Sequence, residues 1–206
     1  MEGSNTKLPI PVSFLALLVV IGVTPASASA VLYTNGPSNG NVGAWTINSG
    51  FSVTDSFALS SNATVTGVDF SVWAFTGDAM DTVDWSITAA PFAGAIASGT
   101  AAATTQTLLF VNGIGLDIDS ESFSIPNVSL NAGTYWLQLQ NAVMRSTSFV
   151  FWDQNNGASQ ALDSASGAIG SEAFQVLVGV PEPASFGLLG MGLLAMAAIL
   201  RRRIRR

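Results

Sequence analysis

Between Val31 and Val178 no segment sustains an apolar pattern at i, i+3 and i+4, so nothing in that span predicts an amphipathic helix. Instead, short runs rich in Val, Ile, Thr, Phe and Trp alternate with clusters of Asn, Gly, Ser and Pro, the signature of strands and turns. Strands are expected at 31–34, 51–60, 63–75, 82–90, 106–111, 123–128, 133–142, 147–153 and 173–178, with Gly67 marking a bulge or bend. The Ala/Gly-rich stretch 91–105 reads either way. Residues 112–122 are expected to form an acidic loop, and 153–168 a loop holding one short strand. About nine to eleven short strands without an internal repeat predict an all-β fold, a single two-sheet β-sandwich of jelly-roll type.

The two ends have a different character. Ala184–Leu200 is a run of 17 residues without charge, and five arginines fill the last six positions, 201–206. As a helix the run would rise about 25 Å, slightly less than the roughly 30 Å hydrocarbon core it would have to cross. Arginines flanking a span stay cytoplasmic, which places the body of the chain on the far side of the membrane. At the front, Val12–Val23 is apolar and Ala28-Ser29-Ala30 has the small-x-small form of a signal-peptidase site, with cleavage after Ala30 or after Ala28. The run is too short to serve comfortably as a second span. The expected organisation is a secretory signal peptide at 1–30, a β-sandwich domain at 31–178 and a sorting tail with a single transmembrane helix at 179–206.

These ends inflate the mean hydropathy of +0.45. The segment from Val31 to Pro183 holds twelve carboxylates against one basic residue, Arg145, a net charge of −11. Nucleic acid is excluded as a partner, because neutralising phosphates needs Lys and Arg; neutral sugars, Ca²⁺ and basic proteins are not. The chain has no Cys, so the exported domain must stand on its core without disulfides. It has no His, which removes Ser-His-Asp and Cys-His catalysis and the usual zinc sites. A carboxylate mechanism such as glycoside hydrolysis is what composition leaves open.

The order Pro181-Glu182-Pro183, apolar span, arginine cluster resembles the PEP-CTERM sorting signal of Gram-negative bacteria. The resemblance implies that an exosortase-type enzyme processes the tail, reading Pro181, Glu182 and Pro183, with Arg201, Arg202 and Arg203 holding the orientation. It further implies export, transient residence in the inner membrane, and association with the cell surface, extracellular polysaccharide or biofilm. A plain membrane anchor is the simpler alternative; an LPxTG-type sortase element is absent, and a GPI signal does not end in arginines.

Alternation supplies candidate surfaces within the domain. Val68, Phe70, Val72 and Ala74 share one face of their strand, leaving Asp69, Ser71, Trp73 and Phe75 on the other. Tyr135, Leu137 and Leu139 likewise oppose Trp136, Gln138 and Gln140. A Trp beside amides suits a neutral sugar ring, so Trp73, Trp136, Gln138, Gln140 and Trp152 are candidate glycan contacts, although tryptophans in a sandwich are more often packing residues. Trp85 shares a face with Val83 and Ile87 and is expected in the core. No cofactor is implied, but two acidic groupings have the donor type for calcium: Asp78, Asp81 and Asp84, and Asp117, Asp119 and Glu121. Neither matches an EF-hand loop, and solvated carboxylates are the commoner explanation. Three functions follow: a non-enzymatic surface or matrix protein, a carbohydrate-binding module, or a carboxylate glycosidase, for which no carboxylate pair announces itself. The first is the favoured reading.

Overall fold

The computed structural model describes residues 29–180 together with five isolated helical positions of the tail, 190, 192, 193, 196 and 201. The described residues form two antiparallel sheets. The first is built from β1 (Ser29–Thr34), β2 (Gly43–Thr46), β4 (Ala63–Ala74), β7 (Thr105–Val111), β8 (Asp117–Leu130), β10 (Phe151–Gln154) and β13 (Phe174–Gly179). The second contains β3 (Ser52–Leu59), β5 (Met80–Thr88), β6 (Ala95–Ala102), β9 (Gly133–Met144), β11 (Ala161–Asp163) and β12 (Gly167–Ile169).

Strand β4 is the axis of the first sheet. Its one edge pairs with β8, which in turn pairs with β7. Its other edge carries two strands end to end: β13 against Val65–Phe70 and β10 against Val72–Trp73. Beyond these lie β1, paired with β13, and β2, paired with β10. The second sheet runs β12-β11-β3-β9-β5-β6.

The alternation expected for 68–75 holds. Val68, Phe70, Val72 and Ala74 are buried against the second sheet, whose inner face supplies Val53, Phe57, Val83, Ile87, Leu137 and Leu139. Trp85 is in this core as expected. Gly67 sits at the bulge: registers on both sides of β4 slip between Val65 and Gly67. A Cβ at Gly67 would press on the Phe123 carbonyl. Pro126 falls in the matching gap of β8, where its missing N–H costs no ladder bond.

The Ala/Gly-rich stretch becomes β6, an edge strand of the second sheet. Its Gly99 lies opposite Trp85, and a Cβ there would touch the indole, so small residues are what a strand facing that tryptophan needs. Three other expectations change. The tract expected as an acidic loop is largely strand, because β8 runs unbroken from Asp117, pairing Asp117, Asp119 and Glu121 with Ala74, Val72 and Phe70. The 153–168 segment holds two short strands, not one. β2 lies in a region without a strong strand signal, held by Trp45 opposite Trp152.

Candidate functional site

Antiparallel pairing of β1 with β13 puts the two ends of the domain side by side, with Ser29 opposite Gly179 and Ala30 opposite Val178. Ser29 and Ala30, where the sequence leads one to expect a signal-peptidase site, therefore meet the start of the sorting motif at one corner of the first sheet. Beside them an open groove of about 560 Å³ is lined by Ser29, Thr66, Gly67, Ile125, Leu177 and Val180, none of them charged. Only Val180 separates the last strand residue, Gly179, from Pro181. Ala28, Pro181, Glu182, Pro183, Arg202 and Arg203 lie outside the described residues, as does most of the expected span; Arg201 is a helical, exposed position. Among the described residues no helix is long and apolar enough to cross a membrane.

The three candidate tryptophans occupy different environments. Trp152 is wholly buried, edge-on to Phe70 at 6.2 Å and to Phe174 at 5.6 Å, and donates its indole N–H to the Ala173 carbonyl at 3.1 Å. As a core residue it is no platform for a sugar; its alternation partner Gln154, also turned inward, hid this in sequence. Trp73 faces outward as expected, but its N–H donates to Asp153 Oδ1 at 2.5 Å, under the loop that also donates the N–H groups of Asn39 and Gly40 to the same carboxylate. Trp136 shares the outer face of the second sheet with Gln138 and Gln140, as alternation requires, yet only 9 % of it is exposed. Gln138 donates to Gln140 at 3.0 Å, so these amides partly satisfy each other.

The first acidic grouping is dispersed among separate partners. Asp78 accepts from the N–H groups of Ala79 and Ser146 and from the Ser146 and Ser148 hydroxyls. Slight burial disfavours its charge, but the two serine hydrogen bonds outweigh that and hold its pKa below the usual range. Asp81 pairs with Arg145 at 3.0 Å on the surface, and Asp84 accepts from Thr100 and Asn141.

The second grouping lies on one inner face. Asp117 accepts from the Gly77 N–H at 3.0 Å and the Thr76 hydroxyl at 3.3 Å. Asp119 accepts from Gln106 at 3.0 Å, and the same amide reaches the Asp78 carbonyl at 2.8 Å. Glu121 is 0 % exposed and neither carboxylate oxygen has a partner. Burial, reinforced by Asp119, pushes its pKa up to about 8. Among the described residues no three carboxylates converge closely enough to hold one metal ion.

A second carboxylate cluster escaped the sequence reading. Asp55 of β3 is buried and accepts from the N–H groups of Ser56 and Glu172, from Ser159 and from Asn35, whose amide also bonds the Glu172 carbonyl at 2.7 Å. Burial raises its pKa to about 6. Glu172, bridged to Gln154 and two positions before the core residue Phe174, is 0 % exposed with both oxygens unpartnered. Burial first, then Asp55, Asp153 and Asp163, raise its pKa well above the ordinary value. Asn155 completes this end, donating to the Asn35 carbonyl at 2.7 Å and accepting from Ser171 at 2.5 Å. A Cβ at Gly157 would overlap the Asn35 carbonyl and the Ser171 hydroxyl, so only glycine fits beneath this network. The residues are far apart in sequence, at 35, 55, 155 and 172, and no local pattern announces them.

No curated protein matches the chain. Residues 179–205 match the family model for the PEP-CTERM protein-sorting motif, starting at the final residue of β13. The chain is thus a β-sandwich protein that carries a PEP-CTERM sorting motif at its C-terminus.

Proposed function

We propose that this is an exported, non-enzymatic protein of the cell surface or extracellular matrix, processed by an exosortase-type enzyme that reads Pro181-Glu182-Pro183. The observation that carries the reading is the sorting motif at 179–205, which begins where the sheet ends. Arg201–Arg206 remain on the cytoplasmic side during processing, and the domain then leaves the inner membrane for a polysaccharide-rich exterior. Two prolines restrict the backbone around Glu182 to extended forms, a suitable presentation for a protease. A non-enzymatic role is supported by the absence of His and Cys and by the state of the carboxylates, which are sealed in the interior or occupied by their own partners. Association with neutral polysaccharide agrees with the net charge of −11, which disfavours acidic polymers.

Replacing Glu182 with Gln keeps the size and removes the charge. The expected result is accumulation of a precursor that retains the arginine tail, read as a mass difference on immunoblot or by mass spectrometry. Normal processing of Glu182→Gln would count against recognition through this residue.

A further inference from the structure

We propose that the flank formed by β6 and β7 is a self-association surface, through which β7 of a second copy of this chain adds antiparallel to β7 of the first. Both strands are edges: among the described residues β6 pairs only with β5, and β7 only with β8. They follow one another directly in the chain, so the two open edges lie on one side of the sandwich.

This side differs from the rest of the domain in charge. From Trp85 to Leu116, 32 consecutive residues carry no Asp, Glu, Lys or Arg, within a segment whose net charge is −11. The carboxylates hydrogen-bonded to it are Asp84, through Thr100 of β6, and the buried Asp119, through Gln106 of β7, so like-charge repulsion between two copies is weakest at the outer edge of β7.

The flank is also apolar. Leu108 is 54 % exposed and Ile114 75 % exposed, and Leu109, Phe110 and Val111 are exposed with them. Opposite residues in the ladder place Leu108 on the side of Asp119 and Phe110 on the side of Ile118, so both faces of β7 present hydrocarbon. Natural edge strands are usually blunted by Lys, Pro or inward-pointing charge. Neither β6 nor β7 contains any of these; the devices present are two register shifts, one between Leu108 and Phe110 and one at Ile96 of β6, opposite Ile87 and Thr88.

The occupant follows from the charge distribution. A basic partner finds no carboxylate at the open edge of β7, Asp84 being engaged by Thr100 of β6 and by Asn141, whereas an identical uncharged strand related by a two-fold axis matches it in length, pairs its free N–H and C=O groups and covers the leucines of both copies. The inference does not depend on how the tail is processed.

The absence of cysteine makes a direct test available. In the full chain expressed in its own host, Thr107→Cys, Leu108→Cys, Leu109→Cys and Phe110→Cys are introduced one at a time at exposed positions, with Ser61→Cys, exposed on the turn between β3 and β4, as the control. Facing residues in an antiparallel pair sit about 4.5–5.5 Å apart at Cα, within disulfide reach. The expected result is a disulfide-linked homodimer on non-reducing gels for the one or two positions nearest the axis, roughly tenfold or more above Ser61→Cys. Equal linking at all five positions, or none in the β7 series, overturns the proposal. So does a β7 series that stays monomeric while the protein binds lipid vesicles through this flank.

Discussion

Glu172→Gln is expected to flatten the dependence of the domain's stability on pH. The carboxyl lies between the sheets with no hydrogen-bond partner, and Asp55, Asp163 and Asp153 are the charges that raise its pKa. The domain's one basic side chain, Arg145, is on the surface with Asp81. An acid whose folded-state pKa lies above its unfolded value contributes stability that is fully present below the unfolded value and is lost as pH rises through the folded one. Five carboxyls share that sign: Glu172, raised well above 4.5, Glu121, raised from 4.5 to about 8, Asp55, raised from 3.8 to about 6, and Asp119 and Asp153, both raised by burial. Asp78 acts in the opposite sense, but only as pH falls below the ordinary carboxylate range. Stability measured by urea unfolding should therefore fall from pH 5 to pH 8. One pKa unit corresponds to about 1.4 kcal/mol, and with allowance for water entering the opened interior the fall is on the order of a few kcal/mol. The neutral Gln removes one of these ionisations, so the variant should lose less of its stability than the wild type between pH 5 and pH 8. Superimposable profiles for the two proteins, or wild-type stability that rises toward pH 8, would contradict this account of the interior.

Trp152→Ala should cause the largest loss of stability of any single tryptophan change. The indole fills the space between Phe70 and Phe174, joins β10 to β4 opposite Val72, and satisfies the Ala173 carbonyl. Truncating a wholly buried Trp removes its transfer free energy and leaves a cavity that the sheets cannot close, about 3–5 kcal/mol. Because small domains have only about 5–15 kcal/mol to lose, the variant should be marginal at physiological temperature. Trp136→Ala, outside the main core cluster, should cost less. A loss for Trp152→Ala below about 1 kcal/mol would contradict its place in the core.

The parts of the fold that were legible in sequence are those governed by period-two alternation. The 68–75 and 135–140 segments were read correctly because apolar and polar residues take opposite faces there and one face is core. Alternation misleads where the interior is polar. Asp117, Asp119 and Glu121 look like an exposed acidic loop, yet they continue the inner face of β8 next to Ala74, Val72 and Phe70. Trp152 was ambiguous for the same reason, its neighbours being Asp153 and Gln154. Small residues conceal strands too: β6 is recognisable only once Trp85 is known to face Gly99. The Asn35–Asp55–Asn155–Glu172 network depends on contacts spanning most of the domain, beyond any local rule. The sorting motif at 179–205 was legible, because it is defined by composition and order and not by tertiary contacts.

The central claim, a removable sorting tail, is tested most directly by the intact mass of the protein recovered from the outer surface of its own cells. The account predicts a chain that ends near Pro183, bare or carrying an attached group, without Arg201–Arg206. A mass that still includes the arginines would contradict it and would make the tail a permanent membrane anchor.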